Sequence, residues 1–126
     1  MNIPEMTDAE LCEAISLARE PKLPEPIYAS VFPILSPLGA WVSNCLAMPK
    51  DYWQPINWLE WSNTGTLLEE LPNVSVKRFG DKWICGSYDE KGYLIENMPT
   101  NLFDNPRRAI CETWLTWKRS TKHNDE

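Results

Sequence analysis

The residues of this 126-residue chain with chemistry beyond packing are four cysteines, one histidine, a run of aromatic rings and two adjacent arginines. A thiol nucleophile needs a low pKa or a neighbouring base. Cys12, Cys45, Cys85 and Cys111 are far apart, form no C-x-x-C pair, and have only His123 to help them hold a metal, so no zinc site is expected. His123 falls in the tail "STKHNDE", which is expected to fray and to offer no orienting partner, so a histidine-based triad is excluded. Cys85 lies in "KWICGSYD", where alternation places it on the face of Trp83 with Ile84 opposite, as a core thiol would sit. Cys111 has no reactive neighbour. The chain carries no G-x-x-x-x-G-K-[ST], G-x-G-x-x-G or H-E-x-x-H, so phosphate cradles and zinc hydrolase sites lack their signature. Glu60, Glu69 and Glu70 read as exposed helical acids. No catalytic residue, cofactor or metal is therefore nominated, and the chain reads as a non-enzyme.

Binding chemistry is better represented. "DYWQPINWLEW", residues 51 to 61, holds Tyr52, Trp53, Trp58 and Trp61. Trp58 and Trp61 are one helical turn apart, but Pro55 disfavours a single helix through all three tryptophans. The reading is that Trp58 packs inward with Trp83 and Trp114, while Tyr52, Trp53 or Trp61 stays partly exposed and offers an interaction anchor, a role in which Trp and Tyr are favoured. Arg107 and Arg108 follow a proline at a helix start, where cations are mildly unfavourable and so ask for a carboxylate, a ligand anion or an acidic partner. Arg78 is a further cation beside the rings. The candidate binding residues are thus Tyr52, Trp53, Trp58, Trp61, Arg78, Arg107 and Arg108.

The elements that must position these residues follow from patterning. "TDAELCEAISLARE" opens with Thr7 and Glu10 as a capping box, with Leu11, Ala14, Ile15 and Ala18 at helical spacing, so a first helix is expected from Asp8 to Glu20. Seven of the eleven prolines then fall between Pro21 and Pro55. The interleaved "IYASVFPIL" and "LGAWVSNCLAM" are too apolar for a solvated linker, so residues 21 to 50 should lie on the core in extended or short-strand form. Asn63 is expected to cap a short helix bearing Leu67, Leu68 and Leu71. "VSVKRFG", "KWICGSYD" and "GYLIE" predict a three-stranded antiparallel meander. In "DNPRRAICETWLTWKR", Asn105 is the N-cap and Pro106 the first helical residue, and Ala109, Ile110, Thr113, Trp114 and Trp117 form a face for a sheet. The helix should end near Lys118 and Arg119, with residues 120 to 126 frayed.

Composition bounds the rest. Apolar residues at 43% and charged residues at 24% fit a globular chain, and this length fits one domain, residues 1 to 126. A net charge of −6 argues against direct nucleic-acid binding, which draws its affinity from Lys and Arg. The N-terminus lacks signal-peptide features and no stretch is apolar enough to span a membrane, so a reducing cytoplasm with free thiols is expected. The fold class is α+β, a small antiparallel sheet of three to four strands with the N-terminal and C-terminal helices packed against it.

The "T-D-x-E-L" helix, "PINW" (Pro55 to Trp58), the Leu-rich helix, "VSVKRFGDKWIC" and "NPRRAI" (Asn105 to Ile110) together resemble small phage proteins of the NinX-like family and the related phage α-β-α sandwich domains. The resemblance is clearest over residues 51 to 117, and Pro21 to Met48 looks like an addition to the pattern. It implies a phage or prophage origin and a compact fold, and brings no catalytic residues. The expected function is an accessory protein that binds a host or phage protein as a host-takeover or counter-defence modulator, located in the bacterial cytoplasm. The alternative is a binder of a small aromatic or nucleotide-like ligand in a Trp/Tyr/Arg pocket. Homodimerisation is compatible with either.

Overall fold

The computed structural model describes residues 2–24, 33–43, 53–99 and 102–124. Cys45, Tyr52 and much of the proline-rich stretch lie outside the described residues. The chain is α+β, as its patterning predicts, and its described residues form three α-helices and two small antiparallel sheets.

A 3-10 turn, Ile3–Glu5, leads into α1, Asp8–Arg19. Thr7 and Glu10 form the expected capping box: the Thr7 hydroxyl accepts from the Glu10 amide at 3.1 Å and the Glu10 carboxylate accepts from the Thr7 amide at 2.8 Å. Leu11 and Ile15 are fully buried on the inner face, and Ser16 beside them is buried as well.

Within the proline-rich stretch, Trp41 is buried in short-strand structure and Ala40 beside it is buried too, whereas Pro21 to Leu23 are exposed and form no strand. β1 (Ile34–Leu35), β2 (Trp41–Ser43) and β3 (Gln54–Pro55) form an antiparallel sheet in that order. The turn between β1 and β2 is closed by Ser36, whose hydroxyl donates to Glu20 at 2.6 Å and accepts from the amides of Ala40 and Trp41. Gly39 sits in this turn at φ +70°, a conformation that glycine adopts without a Cβ penalty.

α2 spans Trp61–Glu70, three residues earlier than Asn63 as a cap would place it. Its N-cap position is Glu60, which makes no capping side-chain bond; the turn Asn57–Glu60 starts the helix instead. Asn57 Oδ1 accepts from the Leu59 amide, and Asn63, the third residue of the helix, donates back to the Asn57 carbonyl at 2.9 Å. Two side chains thus replace the expected single cap.

β4 (Val74–Phe79) and β5 (Lys82–Ser87) form a two-residue hairpin through Gly80 and Asp81, with Gly80 at φ +65°. The predicted third strand is absent as a ladder. "GYLIE" meets only the end of β5, through one bridge from Leu94 to Tyr88 just past the strand and the Ile95 amide donating to the Ser87 carbonyl at 3.0 Å, and Asn97 at φ +68° then turns the chain away. Phe103 takes the neighbouring place instead, exchanging two 2.7 Å backbone bonds with Trp83.

α3, Pro106–Asn124, carries the predicted start, with Asn105 Oδ1 accepting from the Arg107 amide at 2.9 Å. It runs past Arg119 and includes most of the tail expected to fray, since Ser120 to Asn124 holds no glycine or proline to stop it. Residues 109 to 116 are all buried, so this helix is enclosed on every side by β5, α2, α1 and the first turn. Sequence patterning assigned it one buried face. Among the described residues no helix is long and apolar enough to cross a membrane.

Candidate functional site

Most of the aromatic stretch is core. Trp58 is 3% exposed and fixed at several points: its Nε1 donates to Ser16 Oγ at 2.9 Å, and its carbonyl accepts from the Thr64 hydroxyl at 2.6 Å and the Cys111 thiol at 3.3 Å. One residue thereby joins α1 through its side chain and α2 and α3 through its carbonyl. Trp53 is also buried, which removes it from the rings expected to be exposed. Trp114 is buried as predicted, but Trp83 is only half-buried, since it stands at Arg78 in the hairpin register and the Arg78 guanidinium covers its ring at 5.7 Å. Arg78 also donates to the Gly80 carbonyl at 2.7 Å, so its role is to close the hairpin.

Trp61, at the first position of α2, is 54% exposed. Arg107 from the first turn of α3 lies over its ring at 5.6 Å, with its Nε donating to Asn105 Oδ1 at 3.1 Å. Among the described residues expected to bind, this is the pair that the fold brings together on the surface. Arg108 turns the other way. It donates to Glu112 Oε2 at 2.6 Å, to Asp8 at 2.8 Å and to the Met6 carbonyl at 2.7 Å, tying the N-terminus to α3. Burial acts to lower its pKa, and the bonds to Glu112 and Asp8 outweigh that and raise it.

A second aromatic group was not legible in the sequence as a cluster. Arg19, at the end of α1, lies over Trp58 at 5.1 Å and over Trp114 at 5.6 Å, and donates to Glu70 at 2.6 Å. Glu70 also accepts from Trp114 Nε1 at 2.9 Å, so it is an engaged carboxylate and not the solvated acid expected. Lys118 lies near Trp114 and Trp117, and these groups with Leu38 line a cavity of about 400 Å³. The Trp114, Trp117 and Lys118 spacing was visible along α3. The convergence of Arg19 and Glu70 on it depends on how three helices cross.

The thiols are poorly suited to nucleophilic work. Cys12, Cys85 and Cys111 are buried and free, and burial pushes all three pKa values up, most strongly for Cys111. The described residues contain no group of three or more His, Cys, Asp or Glu placed to hold a metal ion. Compared with protein-family models, curated proteins and solved structures, the chain matches none.

Proposed function

We propose that the chain is a non-enzymatic protein-binding modulator, phage- or prophage-encoded as the resemblance over residues 51 to 117 implies, working in the host cytoplasm against a host or phage protein. The observation that carries this reading is Trp61, a large ring left exposed beside a chain whose other tryptophans in the 51 to 61 stretch are core. An indole backed by a guanidinium is a preferred hot-spot anchor, offering apolar area at low entropic cost. The net charge of −6 favours a partner that surrounds its indole-accepting cleft with basic residues. Affinity capture from host lysate with the wild type and Trp61→Ala tests this: a stoichiometric partner lost in the folded variant supports it, and retention of that partner refutes the anchor.

A second reading has its own support, the cavity of about 400 Å³ walled by Trp114 and Trp117. Arg19 and Lys118 against the single acid Glu70 favour a small aromatic or nucleotide-like anion there. Quenching of tryptophan fluorescence by an aromatic carboxylate, abolished in Lys118→Ala, would favour this reading over the first.

A further inference from the structure

Among the described residues β4 pairs with β5 alone, in unbroken antiparallel register from Val74 opposite Ser87 to Phe79 opposite Lys82. Which of its backbone groups are left over follows from its partner. Trp83 gives both its N–H and its C=O to Phe103, and the Ser87 carbonyl accepts from Ile95, so these two residues of β5 face away from β4. Bonded and non-bonded pairs alternate along an antiparallel ladder, so Arg78, Val76 and Val74, opposite Trp83, Cys85 and Ser87, turn their N–H and C=O groups outward. Among the described residues nothing bonds to them there. The strand carries no proline and no bulge to spoil this edge, so the charge on it decides what it admits.

Lys77 and Arg78 are exposed neighbours on opposite faces of β4, and among the described residues neither pairs with a carboxylate, whereas Lys82 across the hairpin is taken by Asp104. Arg78 lies over Trp83 and bonds the Gly80 carbonyl, uses that leave its charge uncompensated. Phe79, 55% exposed, shares the face of Lys77. A chain of net charge −6 thus presents a cationic edge beside an apolar ring. A second copy fits it poorly, because the two-fold pairing about Val76 that uses every outward group sets the two Lys77 ammoniums diagonally together and brings no carboxylate to them. We propose that the β4 edge binds an acidic extended segment of a partner protein, added as an antiparallel strand whose carboxylates face Lys77 and Arg78 and whose apolar side chain lies on Phe79. Backbone bonds to Val74, Val76 and Arg78 hold the segment, and the two cations select it. This edge shares no residue with the Trp61 and Arg107 pair and does not depend on it.

Backbone amide shifts of the full-length chain, followed by NMR with a capped Leu-Glu-Asp-Val-Thr-Val peptide and with the same peptide carrying lysine for both acids, test the proposal. Expected with the acidic peptide are saturable shifts at Val74, Val76 and Arg78, with Ser75 and Lys77, whose amides point to β5, moving less. Binding should weaken by about fivefold or more at low ionic strength in Lys77→Glu. It should be lost in Val76→Pro, which removes an outward donor and spares the ladder with β5. Lys77 is exposed and in no ion pair among the described residues, so Lys77→Glu keeps the test decisive if Val76→Pro fails to fold. No saturable shift, equal binding of the lysine peptide, or unchanged binding by Lys77→Glu would overturn it, as would concentration-dependent shifts of the same amides without peptide, which would put a second copy on the edge.

Discussion

Arg107 and Arg108 are neighbours in sequence and do opposite work. The chain turns by about a hundred degrees per helical residue, so one guanidinium reaches the Trp61 ring at the surface while the other is drawn into bonds with Glu112, Asp8 and two carbonyls. Removing Arg108 would leave Glu112 as an uncompensated buried charge, and Arg108→Met is expected to cost about 3–5 kcal/mol in urea unfolding, with much of the loss recovered in Arg108→Met, Glu112→Leu. The buried thiols make a prediction in pH. Their folded pKa values lie above the ordinary 9.0, so the stabilisation they contribute is complete below that value and is lost as the pH rises through and beyond it. Unfolding free energy should therefore fall above pH 9.0, and Cys12, Cys85 and Cys111 should react with a disulfide reagent at neutral pH only as fast as the chain opens.

Among the elements, those with local punctuation were readable in advance. α1 has its capping box and α3 its Asn-Pro start, each specified within four residues of sequence, and Thr7→Ala is expected to lower stability by about 1 kcal/mol in thermal or denaturant unfolding. The start of α2 was misread because Asn63 is a good cap by type, whereas the turn before it, held by Asn57, begins the helix sooner. The third strand failed for a comparable reason: "GYLIE" has strand composition, but positive φ at Asn97 ends it after one bridge. The enclosure of α3 could not be read from its own pattern, since Glu112 and Thr116 are polar residues that become buried only when the first turn and α1 fold over them. Glu112 had one available signal, its place four residues after Arg108.

At the scale of the molecule, α3 packs on the β4–β5 hairpin and α1 holds the three-stranded sheet, two small sheets that could not stand alone, and Trp58 links the layers through Ser16, Thr64 and Cys111. Trp58→Ala should cost about 3–5 kcal/mol, because it removes a large buried ring and leaves the Ser16 hydroxyl without its indole donor. Trp61→Ala, three residues away, should leave the unfolding midpoint nearly unchanged because its ring is half in solvent. The candidate site was legible only in part: an exposed ring in the 51 to 61 stretch followed from composition, but which ring, and its pairing with Arg107, depend on the packing of α2 against α3. The proposed role rests on that ring. Its most direct test is calorimetric titration of the captured partner with the wild type and with Trp61→Ala, the two proteins first matched for thermal stability. Loss of about 2 kcal/mol or more of binding free energy, roughly thirtyfold in Kd, is the predicted result, and an unchanged Kd would contradict the account.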